Sequence, residues 1–404
     1  MKIEIDNNEL KDYTIDRFDI SFDLNKHTEL SLILRMDKKN FDLDNKSIKV
    51  DNIFYGNIYE YKMAEYGYEG FYIEIMAYSL TKELDRNLKT RIYQDKEFTY
   101  MNIINQVMDE YNIKYICSEK LKKKINKVYF QDNITDYEFL KRILADINEA
   151  IFVSYNGLVV FGIDTYGYSE ISEYKEKRIT NKGVEYLVEN KVILQADSID
   201  NLFVLKSHIY MHNQILNSDI LLSKKNIEIE KIRSNVKGRF IEAKVVDLID
   251  ENEVAKMKVS FLIDGFSDKS INKKSICFST PYSKIHTGMY ITPEIGDKVD
   301  VYFPSDNEDD MKVAFCINND KSSIFLNKEY KNFLTNDFSM ILDKKDFKLI
   351  LNDLNININN NLNLEVKEFT NIKSNNKLNL KSDKDIQINT IKDLVINATK
   401  IHNN

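Results

Sequence analysis

The sequence predicts a mainly β protein with a helical insert and a C-terminal intertwined triple-stranded β-helix, or β-prism, shared by three chains. Three patterns support this fold class: two-residue alternation before residue 225, a helical stretch within that region, and an eight-residue repeat after residue 338. All three prolines, Pro281, Pro293 and Pro304, fall in a middle region. We expect these divisions: a first domain at 1–225, a linker at 226–235, a middle domain at 236–318 and a C-terminal needle at 319–404.

The first region contains strands and, at about 98–150, a helical insert. Residues 18–24, 29–36 and 70–77 alternate apolar and polar side chains, as strands with one buried face do. In the insert, apolar residues instead recur three and four positions apart, which places them on one face of a helix. These residues are Tyr100, Ile103, Ile104, Val107, Met108 and Tyr111.

A second helix is predicted to begin at Thr135, whose hydroxyl can cap it while Glu138 reaches back. Asn156-Gly157 follows between two apolar runs, and this dipeptide predicts a two-residue hairpin turn with positive φ at both positions. We expect both helical stripes to be core rather than ligand surface. The stripe of the second helix consists of Leu140, Ile143, Leu144 and Ile147.

The middle region predicts a β-hairpin. Pro293 and Gly296 end one element, and an alternating strand follows them. The acidic run at 306–310 lacks the spacing and the glycine of an EF-hand, so we expect a solvated loop tip rather than a calcium site. The alternating apolar residues before and after this loop are Val299, Val301 and Phe303, then Val313, Phe315 and Ile317.

The C-terminal repeat has two apolar residues in each octad, two positions apart. The residue between them is polar in every octad except the last, where it is Val395. Each octad therefore predicts one strand with a dry and a wet face, followed by a turn. The expected needle core consists of Leu354, Ile356, Leu362, Leu364, Ile372, Leu378, Leu380, Ile386, Ile388, Leu394 and Ile396, with Thr370 in the first column.

A single chain cannot bury this repeat. A three-sided solenoid uses about three octads per turn, so six octads would give only roughly two turns, fewer than such arrays need. Three identical chains wound about one axis solve the problem, because each octad supplies one side of a triangular prism. We expect the prism at 338–402, with a length of about 40 Å at the usual strand spacing.

Charge, cysteine content and hydrophobicity limit the partners and the location that we expect for this protein. A net charge of −7 argues against nucleic acid or anionic lipid as the main partner. Cys117, Cys277 and Cys316 lie far apart, so neither a disulfide framework nor a thiolate metal site is indicated. The sequence shows neither a signal peptide nor a transmembrane segment, and we expect assembly in the cytoplasm.

No catalytic motif is present. The sequence lacks a Walker A motif, HExxH, GxSxG and a dinucleotide-binding glycine pattern. His208 and His212 stand four apart in a segment that suits a strand at least as well as a helix. We therefore expect no catalytic site, no cofactor and no metal site. One alternative stays open: His402 ends the repeat, where three imidazoles on a three-fold axis can hold a metal ion.

Several segments resemble one family. DYEFLKRILADINEA followed by the hairpin IFVSYNGLVVFG, and the preceding RIYQDKEFTYMNIINQVMDEY, resemble the VgrG and phage late-control D proteins. Ser279-Thr280-Pro281-Tyr282 and the segment PEIGDKVDV at 293–301 resemble that family's oligonucleotide/oligosaccharide-binding (OB) barrel, with its P-x-x-G-D-x-V-x-V strand entry. With the octads, the resemblance covers nearly the whole chain in the expected order.

The resemblance implies a homotrimeric hub and spike of a contractile injection machine. It implies a hub of two β-barrels per chain at 1–225, an OB-fold barrel, and a needle that punctures a target cell envelope and delivers effectors. The implied partners are a hexameric inner-tube protein, baseplate proteins, noncovalently bound effector cargo and a small PAAR-like tip protein contacting Ala398 and Ile401. Alternatives from other classes are a phage-tail spike enzyme that degrades peptidoglycan or surface polysaccharide, and a passive trimeric adhesin.

The needle is expected to narrow toward its end. Each octad has a third column, occupied by Ile358 and Val366 in the first two octads and by small residues afterwards. Smaller side chains in an inward column would let three chains draw closer. The small residues are Ser374, Ser382, Thr390 and Ala398.

Overall fold

A computed structural model describes residues 1–402 except for 38–41, 67–69, 164–172, 181–182, 190, 193–197, 200–201, 224–227, 252–253, 264–272, 285–286, 290, 318–330, 336 and 343–344. The chain divides into two units, Met1–Ser322 and Ser323–Asn404. The protein is mostly β with few helices, as the sequence predicts.

The largest sheet of the first unit has twelve strands, paired antiparallel. Its first half consists of β1 (Ile3–Ile5), β2 (Asn8–Glu9), β3 (Tyr13–Asp23), β4 (Glu29–Met36), β5 (Ser47–Val50), β6 (Phe54–Tyr66) and β7 (Gly70–Ser79). Five later strands complete it: β13 (Glu176–Ile179), β14 (Val184–Glu189), β15 (Ser198–Ile199), β16 (Leu202–His212) and β17 (Ile215–Leu222).

The two halves of this sheet are continuous because β3 pairs with β16, with Ile20 opposite Ile209. Alternation along β3 and β4 buries Phe18, Ile20 and Leu32, so the predicted strand pattern of this region is confirmed. A second, smaller core lies under β14, β16 and β17. The sheet therefore spans residues on both sides of the helical insert.

The insert contains two helices, α1 (Tyr100–Met108) and α2 (Asp136–Ala145). Thr135 and Glu138 form the predicted capping box of α2, and the predicted stripes of both helices are buried except for one residue of each. Tyr111 and Ile147 lie beyond the ends of α1 and α2 and are half-buried. Five short strands accompany them in two sheets, β8–β10 and β9–β12–β11. Their bounds are β8 (Leu88–Tyr93), β9 (Tyr115–Cys117), β10 (Tyr129–Thr135), β11 (Ile151–Val153) and β12 (Val159–Phe161).

The turn between β11 and β12 differs from the prediction. The backbone N–H of Ser154 donates to the carbonyl of Leu158, so three residues, not two, close the hairpin. Gly157 has φ of +80°, and Asn156 does not share the positive φ. A three-residue loop with glycine at the left-handed position is a common alternative for the same dipeptide.

A five-stranded sheet forms the middle region, in the order β20–β19–β18–β23–β24. Its ends meet through a parallel bridge between Phe278 and Val313, where the N–H of Ser279 donates to the carbonyl of Val313 at 2.8 Å. Two further strands form a separate hairpin. The bounds are β18 (Phe240–Glu251), β19 (Val254–Phe261), β20 (Ser275–Cys277), β21 (Tyr282–Lys284), β22 (Thr287–Met289), β23 (Lys298–Tyr302) and β24 (Lys312–Cys316).

Alternation predicts the inward residues of this sheet except at one place. Val299, Val301 and Val313 are buried as expected, but Phe315 is 63% exposed. The pairing of β23 with β24 shifts between Val301–Val313 and Asp300–Phe315, and this bulge turns Phe315 to the outer face.

The second unit begins with an antiparallel sheet of β25 (Lys331–Leu334), β26 (Phe338–Leu342) and β27 (Phe347–Leu351). Residues 352–402, all of which the structure describes, form no hydrogen-bonded strand. The backbone bends at 359–360 and then at 367–368, 375–376, 383–384, 391–392 and 399. The bends thus keep the eight-residue period of the sequence.

Candidate functional site: a buried junction and an exposed repeat

The five-stranded barrel shares its core with the insert. Ile92 of β8 and Val128 and Phe130 of the β10 arm lie in the same hydrophobic cluster as the inward residues of the barrel. The Phe130 ring stacks on that of Phe303, with centroids 5.9 Å apart. One hydrophobic core therefore serves both the insert and the barrel.

A buried ion pair fastens this junction. Nη1 of Arg142, on α2, lies 2.7 Å from Oε1 of Glu308, and both side chains are almost completely buried. Nη2 of Arg142 also donates to the carbonyl of Phe130 at 2.5 Å. The expectation of a solvated tip at 306–310 is therefore wrong for Glu308, because the acidic loop meets cations of the insert that lie far away in sequence.

Neighbouring residues of the same loop add to the contact. The backbone N–H of Val128 donates to Oδ1 of Asp309 at 3.1 Å, and Lys274 pairs with that oxygen at 2.7 Å. On another side, Nη2 of Arg239 lies 2.7 Å from Oδ1 of Asp132. These contacts place charge pairs around a shared apolar core.

The expected linker is attached to the insert at two points. The side-chain amide of Asn235 donates to the carbonyl of Asp132 at 3.0 Å, and the N–H of Ile229 donates to the side chain of Asn148 at 2.8 Å. Val236, directly after it, is fully buried in the barrel core. Residues 228–235, the described part of the expected linker, are therefore attached to the insert and do not form a free hinge.

Asp136 organises the insert. Its fully buried carboxylate accepts from four donors at 2.6–3.2 Å. Sequence reasoning missed this role, although Asp136 follows the helix cap Thr135 in the DYEFL segment that carries the resemblance. The donors are Nζ of Lys89, Nη1 of Arg91, Oη of Tyr111 and Nε2 of Gln131.

A hydroxyl–imidazole–carboxylate relay joins the region of the large sheet to α2. His27 lies 2.9 Å from Oγ1 of Thr81 through Nδ1 and 2.7 Å from Oδ2 of Asp85 through Nε2. The other carboxylate oxygen of Asp85 accepts from the hydroxyl of Thr135 at 2.7 Å. Thr81 is fully buried, so its hydroxyl is closed to any substrate. The relay holds elements together.

Asp85 should make stability pH-dependent. Burial alone raises the pKa of its carboxyl, but hydrogen bonds from His27 and Thr135 outweigh burial and lower the pKa to about 2. A depressed pKa contributes stability above the unfolded value of about 3.9, and this contribution is lost as pH falls through the folded value. We expect Asp85→Asn to flatten the fall in urea midpoint between about pH 5 and 2. An unchanged slope would contradict this assignment.

The predicted needle residues are not brought together within one chain. All eleven are exposed, from 55% at Ile386 to 73% at Leu364. The expected tip contacts Ala398 and Ile401 are exposed as well. The octads therefore present two apolar columns that a single chain leaves in water.

Hydroxyl side chains bond the backbone at three of the bends. Ser382 accepts from the N–H of Lys384 at 3.3 Å, and Thr390 accepts from the N–H of Lys392 at 3.2 Å. The hydroxyl of Ser374 donates to the carbonyl of Lys377 at 3.0 Å. The serine and threonine residues of the third column therefore also stabilise the turns. The sequence alone did not predict this role.

The histidines form no metal site in the structure as described. His208 and His212 both lie on β16, and Nε2 of His208 lies 2.9 Å from Asp19. Among described residues, no group of three or more His, Cys, Asp or Glu side chains could hold a metal. His402 is exposed. All three cysteines are free, and burial raises the pKa of the Cys117 thiol to about 11.

Sequence comparison finds no relative. No protein-family profile matches the chain, and no curated protein matches it. Several solved structures are similar to this chain. The E. coli protein c3393 superposes on it with a TM-score of 0.54 and 11% identity. That protein is a component of the type VI secretion system and has structural similarity to the T4 phage tail proteins gp27 and gp5. The match covers 78% of this chain and 99% of c3393.

The lidded and half-lidded states of the Francisella PdpA–VgrG complex are also similar to this chain. The lidded form gives a TM-score of 0.56 at 10% identity over 87% of this chain and 77% of the other. The half-lidded form gives 0.55 at 10% identity, over 87% and 85%. This chain has a VgrG-like fold.

Along this VgrG-like chain, the parts described above follow one another in a single order. A large sheet comes first, interrupted by the insert, and a five-stranded barrel and the repeat follow. Of the helices that the structure describes, none has the length and apolar character needed to cross a lipid bilayer.

Proposed function

We propose that the chain is the hub and spike of a contractile injection machine and that it works as a homotrimer. The observation that carries the proposal is the uncovered repeat, in which 352–402 expose two apolar columns and form no strand pairs of their own. Large exposed apolar surface is unfavourable in water, and partner strands from identical chains would cover it while pairing the unpaired backbone. The VgrG-like fold of the preceding residues supports the same reading.

The sheet of β25–β27 supports three-fold packing at the start of the needle. By the pairing register, one of its faces is almost wholly apolar, and its residues are exposed or half-buried in the single chain. An apolar sheet face of this kind needs a partner surface. Its residues are Phe333, Phe338, Met340, Leu342, Phe347, Leu349 and Leu351.

We assign the parts as follows: the hub at 1–225, an OB-fold barrel at 236–318 and a trimeric needle at 319–404. The strand order β20–β19–β18–β23–β24, closed by a parallel contact, supports the OB assignment. The two cores beneath one continuous hub sheet support a double-barrel hub that would present pseudo-six-fold symmetry to a hexameric tube.

The role in this proposal is mechanical, without catalysis. Contraction drives the tube and spike through an envelope, and the buried junction passes force from the insert to the barrel. Further proposed partners are baseplate proteins, a noncovalent effector and a PAAR-like protein seated on Ala398 and Ile401. Copurification checks this seat: isolated particles should lose the tip protein when Ala398 and Ile401 are changed to lysine.

Light scattering tests the trimer directly. The full chain should have three times the monomer mass, and removal of 338–404 should weaken or abolish the trimer because the paired strands are lost. A stable full-length monomer at micromolar concentration would contradict the proposed function. The truncated chain also serves as a folding control, since its helices should still give a helical circular dichroism signal.

A further inference from the structure

The last octad departs from the polar pattern on its outer surface. Val395 stands where the five preceding octads have asparagine or glutamine, between the inward columns of Leu394 and Ile396. Ile391 occupies the bend, where the other octads have Asn, Lys, Asp or Thr. Both are highly exposed, Ile391 fully and Val395 at 74%. By the two-residue period Val395 points away from the inward columns, and Ile391 lies at a bend outside them.

The charge of the repeat also changes along its length. Between 377 and 402 five lysines stand against three aspartates, a formal charge of +2, whereas 352–376 has two lysines against three acids. A lysine stands at the same position of each of the last three octads: Lys384 and Lys392 at the second position of a bend, and Lys400 directly after the last bend. The earlier octads have Asn360, Glu368 and Asn376 at this position. The distal half is therefore basic, although the whole chain carries −7.

We propose that the outer surface of the last octads, defined by Ile391, Val395, Lys392 and Lys400, binds the surface of an anionic lipid bilayer. Apolar side chains that enter the headgroup boundary, flanked by lysines, are the pattern that binds such surfaces. Charge complementarity favours an anionic bilayer over an apolar protein surface, because lysines at the bends attract anionic headgroups and add nothing to a purely apolar contact. The inference rests on the proposed trimer, which multiplies the surface by three.

The experiment measures cosedimentation of the full chain with vesicles of phosphatidylcholine alone or of an equimolar mixture with phosphatidylglycerol. The protein should bind the anionic vesicles and release them at high salt, because lysine–headgroup attraction is screened. Ile391→Asn with Val395→Asn restores the pattern of the other octads and should lower binding about tenfold, since the inserted apolar groups are lost. Lys392→Gln with Lys400→Gln should lower it by about the same factor.

Phe369→Asn is the matched control. Phe369 is also an exposed apolar residue of the repeat, at 71%, but the bend before it contains both Lys367 and Glu368 and carries no net charge. Its replacement should leave vesicle binding unchanged. Equal loss from this control, or binding that ignores phosphatidylglycerol, would overturn the proposal.

Two outcomes separate this inference from the proposed function. A trimer by light scattering that binds neither vesicle refutes the lipid surface and leaves the spike intact, whereas a monomer refutes the spike itself. If the Ile391 and Val395 changes release a copurifying tip protein and leave vesicle binding unaltered, the surface belongs to a protein, and the lipid proposal is wrong.

Discussion

Replacing Ile372 with aspartate should prevent the trimer from forming. The side chain belongs to an inward column, so three carboxylates would meet near the axis of the proposed prism. Each would lose its hydration beside like charges, a penalty of at least several kcal/mol per ion. We expect a monomer by light scattering at concentrations where the parent chain is a trimer, and Leu380→Asp should behave in the same way.

The neighbouring residue provides the control. Asn371→Asp adds the same charge one position away, on the face that points outward by the two-residue period. It should leave the mass of the particle unchanged and shift the melting temperature little. A normal trimer for Ile372→Asp, or equal failure of both variants, would show that the inward assignment is wrong.

Removing one partner of the Arg142–Glu308 pair should cost about 3–5 kcal/mol of unfolding free energy. Arg142→Met leaves the carboxylate of Glu308 buried without its main partner, and also removes a donor to the carbonyl of Phe130. We expect a marked fall in the midpoint of urea unfolding, measured by tyrosine fluorescence. Lys127, 3.8 Å from the other oxygen of Glu308, is too far away to compensate fully.

A double variant makes this measurement specific. Arg142→Met with Glu308→Leu removes both charges and should recover most of the loss, because apolar replacements of a buried pair are often neutral or stabilising. Lys122→Ala removes an exposed pair with Glu119 and should change stability by at most about 1 kcal/mol. If the single and double variants at the junction are equally unstable, the ion pair is not the cause.

Local patterns predicted the local structure well. The capping box of Thr135 and Glu138, the buried stripes of α1 and α2 and the eight-residue period of the bends all depend on neighbours in sequence. The turn at Asn156-Gly157 was predicted in place but with the wrong length, because the choice between two-residue and three-residue hairpins depends on the pairing of Ser154 with Leu158.

Long-range features were out of reach. Arg142 and Glu308 are 166 residues apart, and nothing in the local pattern of either indicates its partner. The bulge that exposes Phe315 depends on its pairing with β23. Asp136 had a usable signal, since an acid directly after a helix cap is common, but its four donors come from three different segments. The sequence of one chain predicts the apolar columns of the repeat, but it does not show which chains cover them.

The shared core of insert and barrel limits how this gene can be recombined. A crossover at the expected linker would give the barrel a foreign β8–β10 arm, and Phe303 and Val301 would meet side chains that did not evolve with them. The boundary between Ser322 and Ser323 separates the two units. We therefore expect a crossover at this boundary to be tolerated better than one between the insert and the barrel.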